Sequence, residues 1–244
     1  MSLKEFRAAL RGATYRADAL EVMRLLEERV WPEQMLQLIG DALLVAVTSG
    51  SASAHDLARA CVARLQARGW DGDVDLADAL AARLGDGPQP LLRPVRVDLE
   101  ELASVREGDP THGGGRVDLA TGQVWPQTVY EDFRADESDE EEEEVEDEAA
   151  GTRWLWVDPV GSRSGYRDME VFTETVEDEH LAELLSMAIS GKGAFRRFKD
   201  AIAHHPEAAD AWYAFSEDRV RGRARAWLAA EGYTPRPGRT ASPL

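Results

Sequence analysis

Apolar residues in the first 85 positions recur at helical spacing. Leu3, Phe6 and Leu10 form the first series, and four more series with steps of mostly three or four residues follow. These are Leu20, Met23, Leu26 and Val30; Met35, Leu36, Ile39, Leu43 and Val47; Leu57, Cys61 and Leu65; and Leu76, Leu80 and Leu84. This spacing places apolar side chains on one face of a helix. The pattern predicts a helical N-terminal domain over residues 1–86.

The pattern changes after a segment rich in glycine and proline, residues 85–90, where we place the domain boundary. Asp73 or Asp75 is expected to cap the helix before it. Beyond it, apolar residues alternate or cluster in short runs typical of strands. These runs are Val95 to Leu99, two short strands within 117–125 joined by a turn at Gly122, and 154–157.

Helical spacing returns in the last third of the chain. The predicted helices cover 166–176, 180–189 and 194–203, with two more between Glu207 and Glu231. Residues 234–244 contain Pro, Gly and Ser and are expected to form a flexible tail. The fold class is therefore α+β: a helical N-terminal domain, then a small α+β domain over 95–233 with a short antiparallel sheet and several helices.

The acidic residues are concentrated in one segment. The chain carries 46 acidic and 28 basic residues and a net charge of -18. Residues 131–148 hold thirteen acids and one base, Arg134, which accounts for -12 of that charge. Such a segment has little to bury, and its like charges repel. We expect a disordered acidic insert at 131–150. It is either a plain linker or a segment that screens a basic surface, in which case deleting it raises affinity for polyanions.

Composition excludes several classes of protein. No apolar run is long enough for a membrane span, and the first residues lack a signal-peptide core. Cys61 is the single cysteine, so an intramolecular disulfide or a multi-cysteine zinc site is excluded. We expect a soluble cytoplasmic protein with neither a metal nor a cofactor. We also find no set of residues typical of an active site, although an enzyme using Asp158 and Asp168 with Arg196 stays open.

The segment from Lys192 to Arg225 is basic within an acidic chain. It holds eight bases and five acids. A glycine-flanked lysine before a helix offers free backbone N–H groups and the positive end of the helix dipole. The candidate anion-binding residues are Lys192, Gly193, Arg196, Arg197 and Lys199.

Two interpretations of this segment stay open. Basic residues interleaved with aromatic ones are typical of nucleic-acid-binding surfaces. Alternatively, the aromatic residues belong to the core and the arginines pair with nearby acids, which the helical spacing favours. The aromatic residues concerned are Phe195, Phe198, Trp212, Phe215 and Trp227.

Four stretches carry a resemblance to a known family. They are Asp118 to Gly122, Tyr166 to Phe172, Ala188 to Asp200, and Trp212 with Phe215. Over about residues 95–233 the chain resembles the uncharacterised bacterial protein family UPF0158. The resemblance implies a shared fold unit and no reaction, and it transfers no catalytic residue.

The sequence therefore favours a non-catalytic interaction or regulatory protein. The C-terminal domain would bind a partner, most simply another protein, and the helical domain would add a second contact. The alternative is a nucleic-acid-binding module that uses the basic helix start at residues 192–199 on phosphates.

Overall fold

The structure, a computed structural model, describes residues 1–108, 113–127 and 153–236. The N-terminal helices are α1 (Leu3–Tyr15), α2 (Ala19–Glu27), α3 (Leu36–Ala46), α4 (Ala52–Arg68) and α5 (Asp73–Leu84), with 3-10 turns at Glu33–Met35 and Val47–Ser49. Ser2 and Glu5 form a capping box at the start of α1. The predicted acidic insert at 131–150 and the tail beyond residue 236 lie outside the described residues.

Helix α3 lies at the centre of the N-terminal helices. All of its residues are buried, which explains its wide apolar stripe. The predicted face of the second helix was wrong at both ends: Leu20 of α2 is 84% exposed, and Val30 lies beyond the end of α2 and is 90% exposed. Val22 and Leu25 are buried instead. The apolar residues of α2 outnumber those that one face can hold, so spacing alone did not identify the buried ones.

The second part of the chain has the predicted α+β composition. Its elements are β1 (Arg93–Val95), α6 (Leu99–Arg106), β2 (Gly115–Asp118), β3 (Val124–Pro126), β4 (Trp154–Val157), α7 (Arg163–Glu174), α8 (Glu179–Ile189), α9 (Ala194–Ile202), α10 (Pro206–Ala230) and β5 (Tyr233–Pro235). Strands β3, β2 and β4 form an antiparallel sheet in that order, and β1 pairs in parallel with β5. The predicted antiparallel sheet is confirmed.

Three local predictions in this part differ from the structure. Leu99 begins α6 and does not end a strand, because Asp98 caps a helix there by accepting from the Glu100 N–H. The two helices predicted between Glu207 and Glu231 are one helix, α10. The predicted tail began at residue 234, whereas β5 continues to Pro235.

Helix α10 is continuous because it contributes to three clusters of buried apolar residues. Ala214 belongs to the cluster of the N-terminal helices. Leu228 belongs to the cluster under the three-stranded sheet, and Trp212 and Phe215 belong to the cluster of α7, α8 and α9. Each part of the helix is therefore buried against a different neighbour.

The backbone of α10 also approaches the start of α5 closely. A Cβ atom on Gly222 would overlap the Asp71 carbonyl oxygen, and one on Gly72 would overlap the Gly222 carbonyl oxygen. Gly72 has a φ of 75°, so glycine is required there on two grounds. The boundary predicted at residues 85–90 falls in the connection from α5 to β1, and separate folding of the two parts stays a prediction. No helix in the described ranges is long and apolar enough to cross a membrane.

Candidate functional site

The turn between α8 and α9 holds the residues that the sequence singled out for anion binding. Residues 190–193 are exposed. Gly191 and Gly193 have φ values of 83° and 77°, which glycine adopts without strain. Gly193 is the N-cap of α9, and no side chain caps the helix. The first backbone N–H groups of α9 are therefore open to an incoming anion.

Two hydrogen bonds fix this turn from opposite sides. The Tyr166 hydroxyl of α7 donates to the Ile189 carbonyl oxygen at 3.0 Å. The Arg197 guanidinium donates to the Ser190 carbonyl oxygen. Arg197 is thus partly committed to positioning the turn and is less available to a ligand than the sequence suggested.

The other basic side chains of the set lie at the surface. Arg196 is 90% exposed, and its nearest acid is Asp200, at 3.8 Å and 71% exposed. Lys192 and Lys199 are exposed and form no ion pair with any residue that the structure describes. Arg196 and Lys199 are three residues apart on the side of α9 opposite Phe198, which is fully buried. We call residues 190–199 the cationic turn.

The aromatic residues of the basic segment are mostly core, as the second interpretation predicted. Phe198, Trp212 and Phe215 are buried, and the Phe198 and Trp212 rings pack edge to face at 4.7 Å between centroids. Trp227 is half-buried. Phe195 is the exception, because 41% of it is exposed beside the cationic turn.

The arginines of α10 are neutralised by acids that are distant in sequence. Asp168 of α7 accepts from Arg219 at 3.0 Å and from Arg223 at 2.8 Å. Asp41 of α3 accepts from Arg221 at 2.8 Å and from Arg225 at 2.5 Å. The prediction that these arginines pair with acids is confirmed, but the partners are not local ones.

Arg225 is the most enclosed of these arginines. It is 2% exposed and its Nε also donates to the Gln37 side chain at 2.9 Å. Gln37 and Asp41 are the residues that sequence reasoning missed. Both are polar residues in a helix whose other residues, apart from Gly40, are apolar. Because a buried polar group needs a hydrogen-bond partner, this pattern could have indicated that the two side chains bind a polar group elsewhere in the chain.

A second buried ionic group lies beside the first. Arg68 of α4 binds Asp73 at 2.6 Å and Asp218 at 2.7 Å. Burial opposes the charge of Arg68, but the hydrogen bond to Asp73 and the charge of Asp218 outweigh it and raise the pKa of Arg68. Asp73 was expected to cap α5, but the N-cap is Gly72 and the Asp73 side chain binds Arg68 and Gln37 instead.

One arginine between two carboxylates leaves an excess negative charge in the interior. Burial raises the pKa of Asp218 to about 6, against the lowering effect of Arg68 and of the Gln37 N–H that it accepts. The Gln37 N–H lies 2.8 Å from the Asp218 carboxylate. The group therefore takes up a proton more readily than an ordinary aspartate.

Of the three residues proposed for an enzyme, Asp158 is exposed and Asp168 is buried. The Asp168 side chain is 1% exposed and held by Arg219 and Arg223, whereas Arg196 points into solvent from α9. Burial raises the pKa of the Cys61 thiol to about 12, which keeps it in the unreactive protonated form. Among the residues that the structure describes, no group of three His, Cys, Asp or Glu side chains could hold a metal ion.

The comparisons with known proteins agree on one family. The model of an uncharacterised protein family, UPF0158, matches residues 95–236. The UPF0158 protein PA5073 of Pseudomonas aeruginosa is 28% identical over 138 residues, which is 56% of this chain and 84% of the relative. No solved structure matches. The matched residues include both the cationic turn and α10, and they leave out the N-terminal helices that hold Gln37 and Asp41.

Proposed function

The chain belongs to the uncharacterised protein family UPF0158, and we propose that it is a non-catalytic interaction protein whose cationic turn binds an acidic surface of a partner protein. One observation carries the proposal. The four arginines of α10 are engaged with Asp168, Asp41 and other acids. The basic residues of the cationic turn stay at the surface.

The shape of the turn suits a contact with a folded partner. It lies exposed between α8 and α9, and hydrogen bonds from Tyr166 and Arg197 hold it in place. A fixed loop loses little conformational freedom on binding. Its charges, those of Lys192, Arg196 and Lys199, would pair with carboxylates at the rim of an interface, where they set association rate and specificity more than affinity.

The non-catalytic part of the proposal is supported by how the reactive groups are held. Asp168 is occupied by two arginines, and the Cys61 thiol is buried in its protonated form. Neither group is available to a substrate.

A charge-reversal pair tests the proposal against a matched control. The turn variant carries Lys192→Glu and Arg196→Glu. The control carries Lys4→Glu and Arg83→Glu at exposed helix positions elsewhere, so both variants change the net charge by the same amount. Cross-linking in cells, followed by mass spectrometry, should recover the same protein partner with wild type and the control. The turn variant should lose it. Equal recovery with all three proteins would contradict the proposal.

Nucleic acid is a second candidate because Phe195 is 41% exposed beside the basic residues. Bases stack on exposed aromatic rings, and phosphates pair with lysine and arginine. Fluorescence anisotropy with a labelled single-stranded oligonucleotide would decide. Nucleic-acid binding predicts a steep salt dependence, and loss of the two phosphate contacts of Lys192 and Arg196 should reduce its slope by about 1.4. If the partner is a nucleic acid, nuclease treatment abolishes the cross-linked complex. A complex with a protein partner survives the treatment.

A further inference from the structure

A cleft lies where α1 meets the start of α6 and strand β5. Its volume is about 410 Å³, within the range of small-molecule sites. Tyr15 and Gly12 of α1 form one wall, and Leu99 and Pro235 face them. Leu38 of α3 contributes to the lining from the buried core. The cleft is thus built from elements at both ends of the chain, and its walls are mainly apolar.

The other charged residues that line this cleft pair with one another. Arg11 lies 2.8 Å from Glu100 and also pairs with Glu217. Arg221 binds Asp41 at 2.8 Å and also pairs with Glu100. The Arg11 Nε is buried and has no well-aligned hydrogen-bond acceptor among the described residues. These ion pairs balance most of the charge along this part of the lining.

Two arginines at the rim of the cleft have no carboxylate ion-pair partner among the described residues. Arg16 and Arg236 are exposed, and neither has a carboxylate within ion-pair distance in the described part of the chain. The Arg16 guanidinium lies over Gly12, since a Cβ there would be 3.2 Å from its Nη1. The Arg236 backbone N–H donates to the Val95 carbonyl oxygen at 2.8 Å, which fixes the chain at the rim.

Two acids interact with this region, and both are already engaged. Asp98 lines the cleft, but its carboxylate accepts from the Glu100 N–H at 2.7 Å as the cap of α6. Glu21 of α2 interacts electrostatically with Arg16, but it is paired with Arg24 at 2.6 Å. The rim therefore keeps an excess of positive charge from Arg16 and Arg236. A ligand that places an anionic group at the rim and an apolar body in the cleft would match both features.

We propose that this cleft binds a small organic anion, with an apolar ring or short chain against Tyr15 and Leu99 and a phosphate, sulfonate or carboxylate between Arg16 and Arg236. The proposal is independent of the cationic turn. Because one wall comes from α1, the site needs the N-terminal helices as well as the residues that match the family. Binding would therefore stabilise the contact between the two ends of the chain.

Two related fluorescent probes separate the apolar and anionic parts of the site. 8-Anilinonaphthalene-1-sulfonate is anionic, and N-phenyl-1-naphthylamine is the same aromatic body without the sulfonate. We expect saturable binding of both probes to wild type. The double variant Arg16→Ala with Arg236→Ala removes both charge-assisted contacts and should weaken sulfonate binding at least tenfold. It should change the neutral probe less than twofold.

Filling the cleft provides the second arm. Gly12 lies in α1 with only the flexible end of Arg16 near its Cβ position, so Gly12→Phe should enter the cleft and weaken both probes at least tenfold. Arg83→Ala with Arg163→Ala, at exposed positions outside the cleft, is the control. This control should stay within twofold of wild type.

Circular dichroism melts establish that each variant is folded at the assay temperature. If Gly12→Phe is unfolded, the ratio of the two affinities in the arginine variant decides alone, since both arginines are exposed. The proposal is overturned if sulfonate binding does not saturate. It is equally overturned if the arginine variant affects both probes alike, or if a folded Gly12→Phe protein binds as wild type does.

Discussion

Protonation of Asp218 should contribute stability in mild acid that is absent at neutral pH. Arg68 is shared between Asp218 and Asp73 in the interior, and burial raises the pKa of Asp218 from 3.8 to about 6. Between these two values the folded chain holds a proton that the unfolded chain does not. Stability linked to Asp218 is therefore fully present below pH 3.8 and is lost as pH rises through 6. The perturbation that isolates it is Asp218→Asn, which removes the titration.

The size of the effect follows from the pKa difference. A tenfold change in proton affinity corresponds to about 1.4 kcal/mol, so the shift of Asp218 from 3.8 to about 6 corresponds to about 3 kcal/mol over the full range. Some of this stabilisation develops only below pH 4. The gain in stability between pH 7.5 and pH 4 is about 2 kcal/mol.

Urea unfolding of wild type and Asp218→Asn at several pH values measures this directly. The free energy of unfolding of wild type, minus that of the variant, should rise by about 2 kcal/mol as pH falls from 7.5 to 4. The constant loss that the new amide causes beside Arg68 and the Gln37 N–H cancels in this pH dependence.

Asp118→Asn is a control of opposite sign. The hydrogen bond from Arg153, at 2.7 Å, lowers the pKa of Asp118. Its stabilisation is present above the unfolded pKa and is lost as pH falls, so the wild-type advantage over this variant should shrink in acid. A flat difference between wild type and Asp218→Asn, or one that shrinks in acid, would refute the account of the buried ionic group.

Other predictions follow from single contacts. Arg225→Ala should lower the free energy of unfolding by about 3–5 kcal/mol in a urea titration, since it leaves buried acceptors unpaired; a loss below 1 kcal/mol would contradict this. Cys61 should not react with iodoacetamide in the folded protein at pH 8, and labelling faster than unfolding would show that the thiol is accessible. Gly222→Ala should destabilise the protein by more than about 1 kcal/mol in thermal melts, because the new Cβ would overlap the Asp71 carbonyl oxygen. Gly12→Ala, also in a helix, should be neutral or stabilise the protein by up to about 1 kcal/mol in the same melts. Deleting 131–148 should raise affinity for heparin at low salt; unchanged affinity would reject screening by this segment.

Helices and strands could be predicted from the sequence where the spacing of neighbouring apolar residues determines which side chains are buried. The apolar series of α1, α3 and α4 gave the right elements, and the alternation near residues 117–125 gave the right strands. The buried face of α2 was predicted correctly at Met23 and Leu26 and missed at Val22 and Leu25, because α2 has more apolar residues than one face can hold. The sequence analysis predicted two helices where α10 is one, because α10 is buried by three clusters whose other members are mostly distant in sequence.

The candidate site was predictable only in part. The glycines and basic residues of the cationic turn lie within ten positions, so the sequence shows them together. The pairing of Arg225 with Asp41 spans 184 positions, and composition counts both as ordinary charges. The cleft at α1 could not be predicted, because its walls come from elements that only the folded chain brings together.

The pairing of α10 with α3 bears on how this protein can be divided. A fragment cut at the limits of the family match, residues 95–236, would keep Arg221 and Arg225 and lose both Gln37 and Asp41. The excised helix would present the Arg225 guanidinium without an acceptor, whereas Arg221 would keep Glu100. Members of the family without an equivalent of α3 would need another counter-charge or an apolar residue in place of Arg225. An alignment should then show position 225 covarying with the N-terminal extension.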